Sequence, residues 1–386
     1  MATSLRRLCR LNISLANNAF LKYNFINVGV RCMFTDRDLG VSSYENTRYV
    51  FRNQFMTIEN TFRDKMQEVC QNENGVIYTE DLKAMLHLAQ ANENDMQLVN
   101  GMLEKYIQNN EDRKFGKYVF GPVIMRMYYH LNQPRRALEA FDNDKLKESF
   151  NYRSSFRILM SLLYKNNMYK EMRELYQNVL DSRSIEYLRN SNILMYAGCL
   201  KENTPEALEF ALKHWEEQYD KILPSVRSCA LLSYLAIKCN KADTALDILS
   251  TVALDKAISI RALKMLAFLQ LKKYLQIIPF FKYGLEQGNM HNNHQCFFGD
   301  VVYKVEEELK TEGDTEESRQ LLSLIEQAKR HDFVQSTYTV EEYILRPIFL
   351  GNQPKANLGN VRDRKKGLRN RYSREAQKKV ELQNYL

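Results

Sequence analysis

Thirteen lysines and arginines, and not one acid, fall in five separate helix-length segments: two in Lys117–Leu131, three in Arg153–Asn167, two in Tyr187–Lys201, two in Ser225–Asn240 and four in Ala257–Tyr274. Lys117, Arg126, Arg153, Arg157, Arg189, Arg227, Arg261 and Lys264 are the candidates for chemistry here, because such side chains neutralise phosphates and release their counterions. The intervening segments, Asn132–Tyr152, Met168–Glu186, Glu202–Pro224 and Lys241–Lys256, carry eleven bases and seventeen acids. If the acid-free segments line one face of a stack, that face is positive and the other is not, which implies a polyanionic ligand, RNA foremost. A second explanation stays open: inner-layer helices avoid charge and keep only a few long side chains that snorkel to water.

These residues need a scaffold that presents them together. From about Tyr44 onward, Leu, Met, Ile and aromatic residues recur at three and four spacing, so nearly every window reads as helix, and alternating strands with hairpin turns are absent. Breakers at Asn132–Pro134, Asn166–Asn167, Asn203–Pro205 and Asn240 each separate a mostly apolar helix from a more charged one. The resulting helical hairpins recur at 36, 36 and 37 residues when aligned on Val119, Ser155, Ser191 and Ser228. Such units cannot bury their apolar faces alone, so the expected fold is an all-α solenoid of stacked hairpins over residues 44–298, with further C-terminal helices over 299–350.

Both ends differ from this body. Residues 1–35 hold five bases and no acid, with Leu5, Leu8, Leu11 and Leu15 at helical spacing opposite Arg6, Arg7 and Arg10. That composition predicts a mitochondrial presequence cleaved near Arg31–Thr35, and hence a matrix location; a basic cytosolic tail is the competing reading. Residues 351–386 form a basic tail, expected to be flexible, in which Arg364, Lys365, Lys366 and Arg369 could grip RNA nonspecifically or merely solubilise the chain. Without residues 1–35 and 361–386 the chain counts 41 bases against 44 acids, so any positive surface there must come from segregation of charge.

Other chemistries find little support. Seven cysteines without a CxxC pair suggest neither a disulfide framework nor a zinc ribbon. His291, His294 and Cys296 have ligand types at close spacing but no second cluster. No glycine-rich phosphate loop or nucleophile elbow occurs, so neither a cofactor nor catalysis is expected. No apolar run approaches the ~20 residues that span a bilayer.

The run Ser155–Lys165, followed by Asn166–Glu171 and then Glu174, Leu175 and Tyr176, resembles an ungapped pentatricopeptide repeat. Gly116–Phe141, Ser191–Glu206 and Val361–Lys365 are similar to the corresponding regions of a mitochondrial member of that family. The resemblance implies binding of single-stranded RNA along the first helices, in mitochondrial RNA maturation that supports the respiratory chain, without catalysis by the chain itself. A protein-interaction scaffold attached to the mitochondrial ribosome or the RNA-processing machinery is the alternative. In the family's sequence-reading repeats a small polar residue stands early in the first helix. Gly121, Arg157 and Ile193 stand there in this chain, so phosphate or shape reading is expected in place of a one-base code.

Overall fold

The computed structural model describes residues 32–113, 118–182, 188, 191–219, 225–251, 257–291, 296–312 and 315–348. Their helices are α1 (Asp36–Leu39), α2 (Val41–Phe55), α3 (Glu59–Gln71), α4 (Thr79–Leu88), α5 (Glu93–Arg113), α6 (Gly121–His130), α7 (Pro134–Asp142), α8 (Arg153–Lys165), α9 (Tyr169–Ser182) and α10 (Ser191–Glu202). There follow α11 (Pro205–Tyr219), α12 (Val226–Lys238), α13 (Ala242–Ser250), α14 (Ile258–Gln270), α15 (Ile278–His291), α16 (Gly299–Glu312), α17 (Glu316–Arg330) and α18 (Val340–Ile344). First helices stack on first helices, in the order α6, α8, α10, α12, α14 and α16, and α7, α9, α11, α13 and α17 each pack against the first helix before them. This is the all-α repeat array that the hydrophobic spacing predicts. No described helix is long and apolar enough to cross a membrane.

The hairpin turns share one backbone device. Asn132, Asn167, Asn203, Asn240 and Lys272 close the first helices α6, α8, α10, α12 and α14 with φ between 51° and 59°. Asparagine tolerates this left-handed conformation because its short polar side chain relieves some of the strain. In four of these turns the next amide reaches back to an otherwise orphaned helix carbonyl: Gln133 to Tyr128 at 3.0 Å, Met168 to Leu163 at 3.0 Å, Lys241 to Ala236 at 2.8 Å and Lys273 to Phe268 at 2.9 Å. Neighbouring turns are also tied together, since Asn166 Nδ2 donates to Asn132 Oδ1 at 2.9 Å and Gln270 Nε2 to Asn240 Oδ1 at 2.7 Å.

Between the turns, small residues let the first helices approach. Ser155, Ser191, Ser228 and Ser259 are all buried near the starts of α8, α10, α12 and α14. Gly121 starts α6 where a Cβ would lie 2.0 Å from the Ser149 carbonyl oxygen, a contact no larger residue could make. Phe120 and Phe156 are buried, as their equivalent positions in the repeat predict. A polar cluster bridges three helices: His214 of α11 lies between the Tyr176 hydroxyl of α9 at 3.2 Å and the Tyr196 hydroxyl of α10 at 2.9 Å.

Among the described residues strand is present only in traces that sequence alternation could not signal. Phe297–Phe298 (β1) pairs in parallel with Val334–Gln335 (β2), and Phe34 forms a single parallel bridge with Ile348. Two-residue strands have no period to read; tertiary placement makes them.

Two measurements follow from this packing. Asn203 is exposed with φ 52° and no partner has to be broken there. Asn203→Gly should leave stability near wild type, while Asn203→Val should lose ~1–2 kcal/mol in urea denaturation, the cost of forcing a branched residue into the left-handed region. Burial pushes the His214 pKa down to about 4, so the native state requires the neutral ring. The unfolded chain takes up that proton first, near its ordinary value of 6.5. Stability is therefore full above about pH 6.5 and falls between there and about 4, by up to ~3 kcal/mol. Urea midpoints at pH 7 and pH 5 should show this loss, and His214→Gln should remove most of the slope.

Candidate nucleic-acid interface

The cations of the first helices do converge, and the chain's own backbone meets them. Arg126 projects from α6 and its Nε donates to the Leu39 carbonyl at 2.9 Å. Its guanidinium lies so close to Gly40 that a Cβ there would come within 2.8 Å of it, and Gly40 itself needs φ 72° to turn from α1 into α2. One repeat along, the Arg157 guanidinium of α8 sits 5.5 Å above the Phe34 ring, and its buried Nε has no hydrogen-bond partner. Two repeats further, Arg227 of α12 donates through Nε to the Ile344 carbonyl at 2.9 Å and through Nη2 to the Arg346 carbonyl.

The two segments contacted in this way are joined to each other. Ile348 donates its amide to the Met33 carbonyl at 2.6 Å, so Met33–Leu39 and Ile344–Ile348 meet over the first-helix face. Met33, Phe34 and Leu39 are fully buried, although the first two belong by composition to the presequence region. The end of the C-terminal segment is anchored electrostatically. Glu341 of α18 accepts from Lys201 of α10 at 2.9 Å and from Lys238 of α12 at 2.6 Å.

Charges are unevenly matched along this face. Burial lowers the Arg126, Arg157 and Arg227 pKa values; Arg153 adds to the effect at Arg157, where Asp38 opposes it, and Arg346 adds to it at Arg227. All three stay protonated at neutral pH, because arginine starts above 12. None of them pairs with a carboxylate at salt-bridge distance among the described residues. Glu341 differs: burial works to raise its pKa, but the hydrogen bonds from Lys238 and Lys201 outweigh it and hold the carboxyl below the usual range.

The remaining candidates are more scattered. Arg153 is exposed at the start of α8, four residues before Arg157 on the same helical face. Arg261 is buried, donates to the Cys296 carbonyl at 3.1 Å and lies 5.3 Å from the Tyr283 ring centre. Lys264 is half-buried on α14 and already partnered. Lys117, Arg189, Arg364, Lys365, Lys366 and Arg369 lie outside the described residues, as does His294. Among the aromatic candidates, Tyr128, Tyr129 and Tyr164 are core, whereas Tyr118 and Tyr152 expose 40% and 47% of their surface; Tyr118 already has the Lys83 ammonium 4.1 Å from its ring centre.

Sequence reasoning did not single out Lys165, Lys201 and Lys238 as a row. They occupy equivalent last-turn positions of α8, α10 and α12, where a cation also suits the helix dipole. Their spacing of 36 and 37 residues was the available signal.

No protein-family model matches the chain. It is similar to pentatricopeptide repeat-containing protein 2, mitochondrial, of several vertebrates. Identity is 26% with the Homo sapiens protein over 285 residues, 72% of each chain. It is 27% with that of Mus musculus over 284 residues, 72% of this chain and 73% of the relative. With the Danio rerio protein it is 29% over 174 residues, 45% of each.

Arg227 tests the charge-to-carbonyl scheme directly. Arg227→Ala leaves two half-buried carbonyls without a donor and should cost ~1.5–3 kcal/mol in thermal or urea unfolding. Arg227→Lys should recover only part of it, because a single ammonium lacks the planar fork that reaches both oxygens.

Proposed function

We propose that this chain is a noncatalytic mitochondrial RNA-binding factor that acts in transcript maturation in the matrix and so supports the respiratory chain. One observation carries the reading: guanidinium groups from three first helices converge on one face without carboxylate partners. Half-buried cations bonded to peptide oxygens or set against a ring face are incompletely compensated, and a phosphate would supply both acceptor oxygens and opposing charge. The mitochondrial relatives and the acid-free residues 1–35 support the compartment.

In this reading Arg126, Arg153, Arg157 and Arg227, with Lys117, Arg189, Arg261 and Lys264 alongside, contact the phosphate backbone. Arg364, Lys365, Lys366 and Arg369 serve as a nonspecific arm. Base identity is not read repeat by repeat, because Gly121 is buried at a helix contact and Arg157 faces Phe34. Presequence removal falls ahead of Met33, since Met33 and Phe34 are 1% and 0% exposed and integral to the packed body.

A second reading, a scaffold for mitochondrial ribosomal or RNA-processing proteins, has its own observation: the first-helix face already holds extended peptide by its carbonyls. Salt dependence separates the two. Replacing Arg153 and Arg157 together by Ala should weaken binding to single-stranded RNA and reduce the slope of log K against log salt by ~1.4, two phosphate contacts at about 0.7 each. Filter binding between 50 and 200 mM salt checks it, with circular dichroism as the folding control; an unaltered slope would remove both residues from the site.

A further inference from the structure

The first-helix face is closed in cis, and this deepens the RNA-binding reading, on which it rests. We infer that Met33–Leu39 and Ile344–Ile348 form a clasp that competes with RNA for Arg126, Arg157 and Arg227, so that strand entry requires the paired chain ends to separate.

Three features point to competition. The clasp consumes the donors an incoming strand would use: Arg126 Nε is bonded to Leu39, and Arg227 Nε and Nη2 to Ile344 and Arg346. It also covers Arg157, which lies against the Phe34 ring with its buried Nε unbonded. Finally, the seam between the ends is narrow, a single bridge of Phe34 with Ile348 whose hydrogen bond runs from the Ile348 amide to Met33.

The two occupants satisfy the arginines to different degrees. Peptide oxygens offer dipoles and no net charge, whereas phosphate oxygens accept the same forked hydrogen bonds and neutralise the cation. RNA is therefore the stronger ligand for the guanidinium groups. The clasp holds its place through what RNA lacks, namely the buried side chains of Met33, Phe34 and Leu39 and the Glu341 contacts to Lys201 and Lys238. A closed majority state of this kind lowers apparent affinity by the fraction of molecules that are open. It also excludes weak polyanions that cannot meet the cost of opening.

The test uses the full chain and a random-sequence single-stranded RNA. Amide hydrogen exchange should accelerate in residues 33–40 and 344–348 when RNA binds, while α8, α10 and α12 hold or gain protection. Ile348→Pro removes the bridging donor at a half-exposed position and should raise RNA affinity ~tenfold through a larger open fraction. If the wild-type chain binds RNA while the clasp amides keep their protection and Ile348→Pro binds no more tightly, competition is wrong and the RNA reading stands. If neither the wild type nor Ile348→Pro binds RNA, both are wrong.

Discussion

Half-buried positive charge with no carboxylate at salt-bridge distance among the described residues is the constraint around which the inner face is organised. Arg126, Arg157 and Arg227 come from helices that carry no acid, so no carboxylate of their own helix neutralises them. A guanidinium drawn partly out of water without partners is costly, and the solution adopted is dipolar: main-chain oxygens at Leu39, Ile344 and Arg346, and a π face at Phe34. Those partners are at the two ends of the packed body, which is why the ends must come to the middle.

The regularity behind that face is set by turn chemistry as much as by hydrophobicity. Stacked hairpins can present a row of cations only if each first helix stops at the same level. The left-handed residues at Asn132, Asn167, Asn203 and Asn240 impose this stop, and the returning amides complete four of the five turns from Asn132 to Lys272. Buried serines and Gly121 then bring successive helices close enough for their side chains to share one surface.

Much of this was legible in advance, for reasons that differ by feature. Hairpin period and helix limits could be read because αL turns demand particular residues and buried faces demand a 3.6 spacing; α8 runs over Arg153–Lys165, within the segment its composition marks. The list of first-helix cations was also readable, because charge is a property of residue type. What each cation touches was not. Arg126 and Arg227 bond to backbone carbonyls, which every residue has, so their partners leave no mark in composition. The Phe34–Ile348 bridge is one residue wide and joins distant positions, beneath the resolution of any periodicity. The expectation of a presequence over residues 1–35 also masked Met33 and Phe34, since basic, acid-free composition around them says nothing of their burial.

Pairing between Met33 and Ile348 also fixes an order of assembly. A chain synthesised amino end first presents Met33–Leu39 long before Ile344–Ile348. Local hairpins can form during that interval, because their contacts are short in sequence, whereas the seam closes a loop spanning nearly the whole body and must be completed last. Until then the arginine row stands open in the nascent polypeptide, so the nascent form and the finished form present different surfaces.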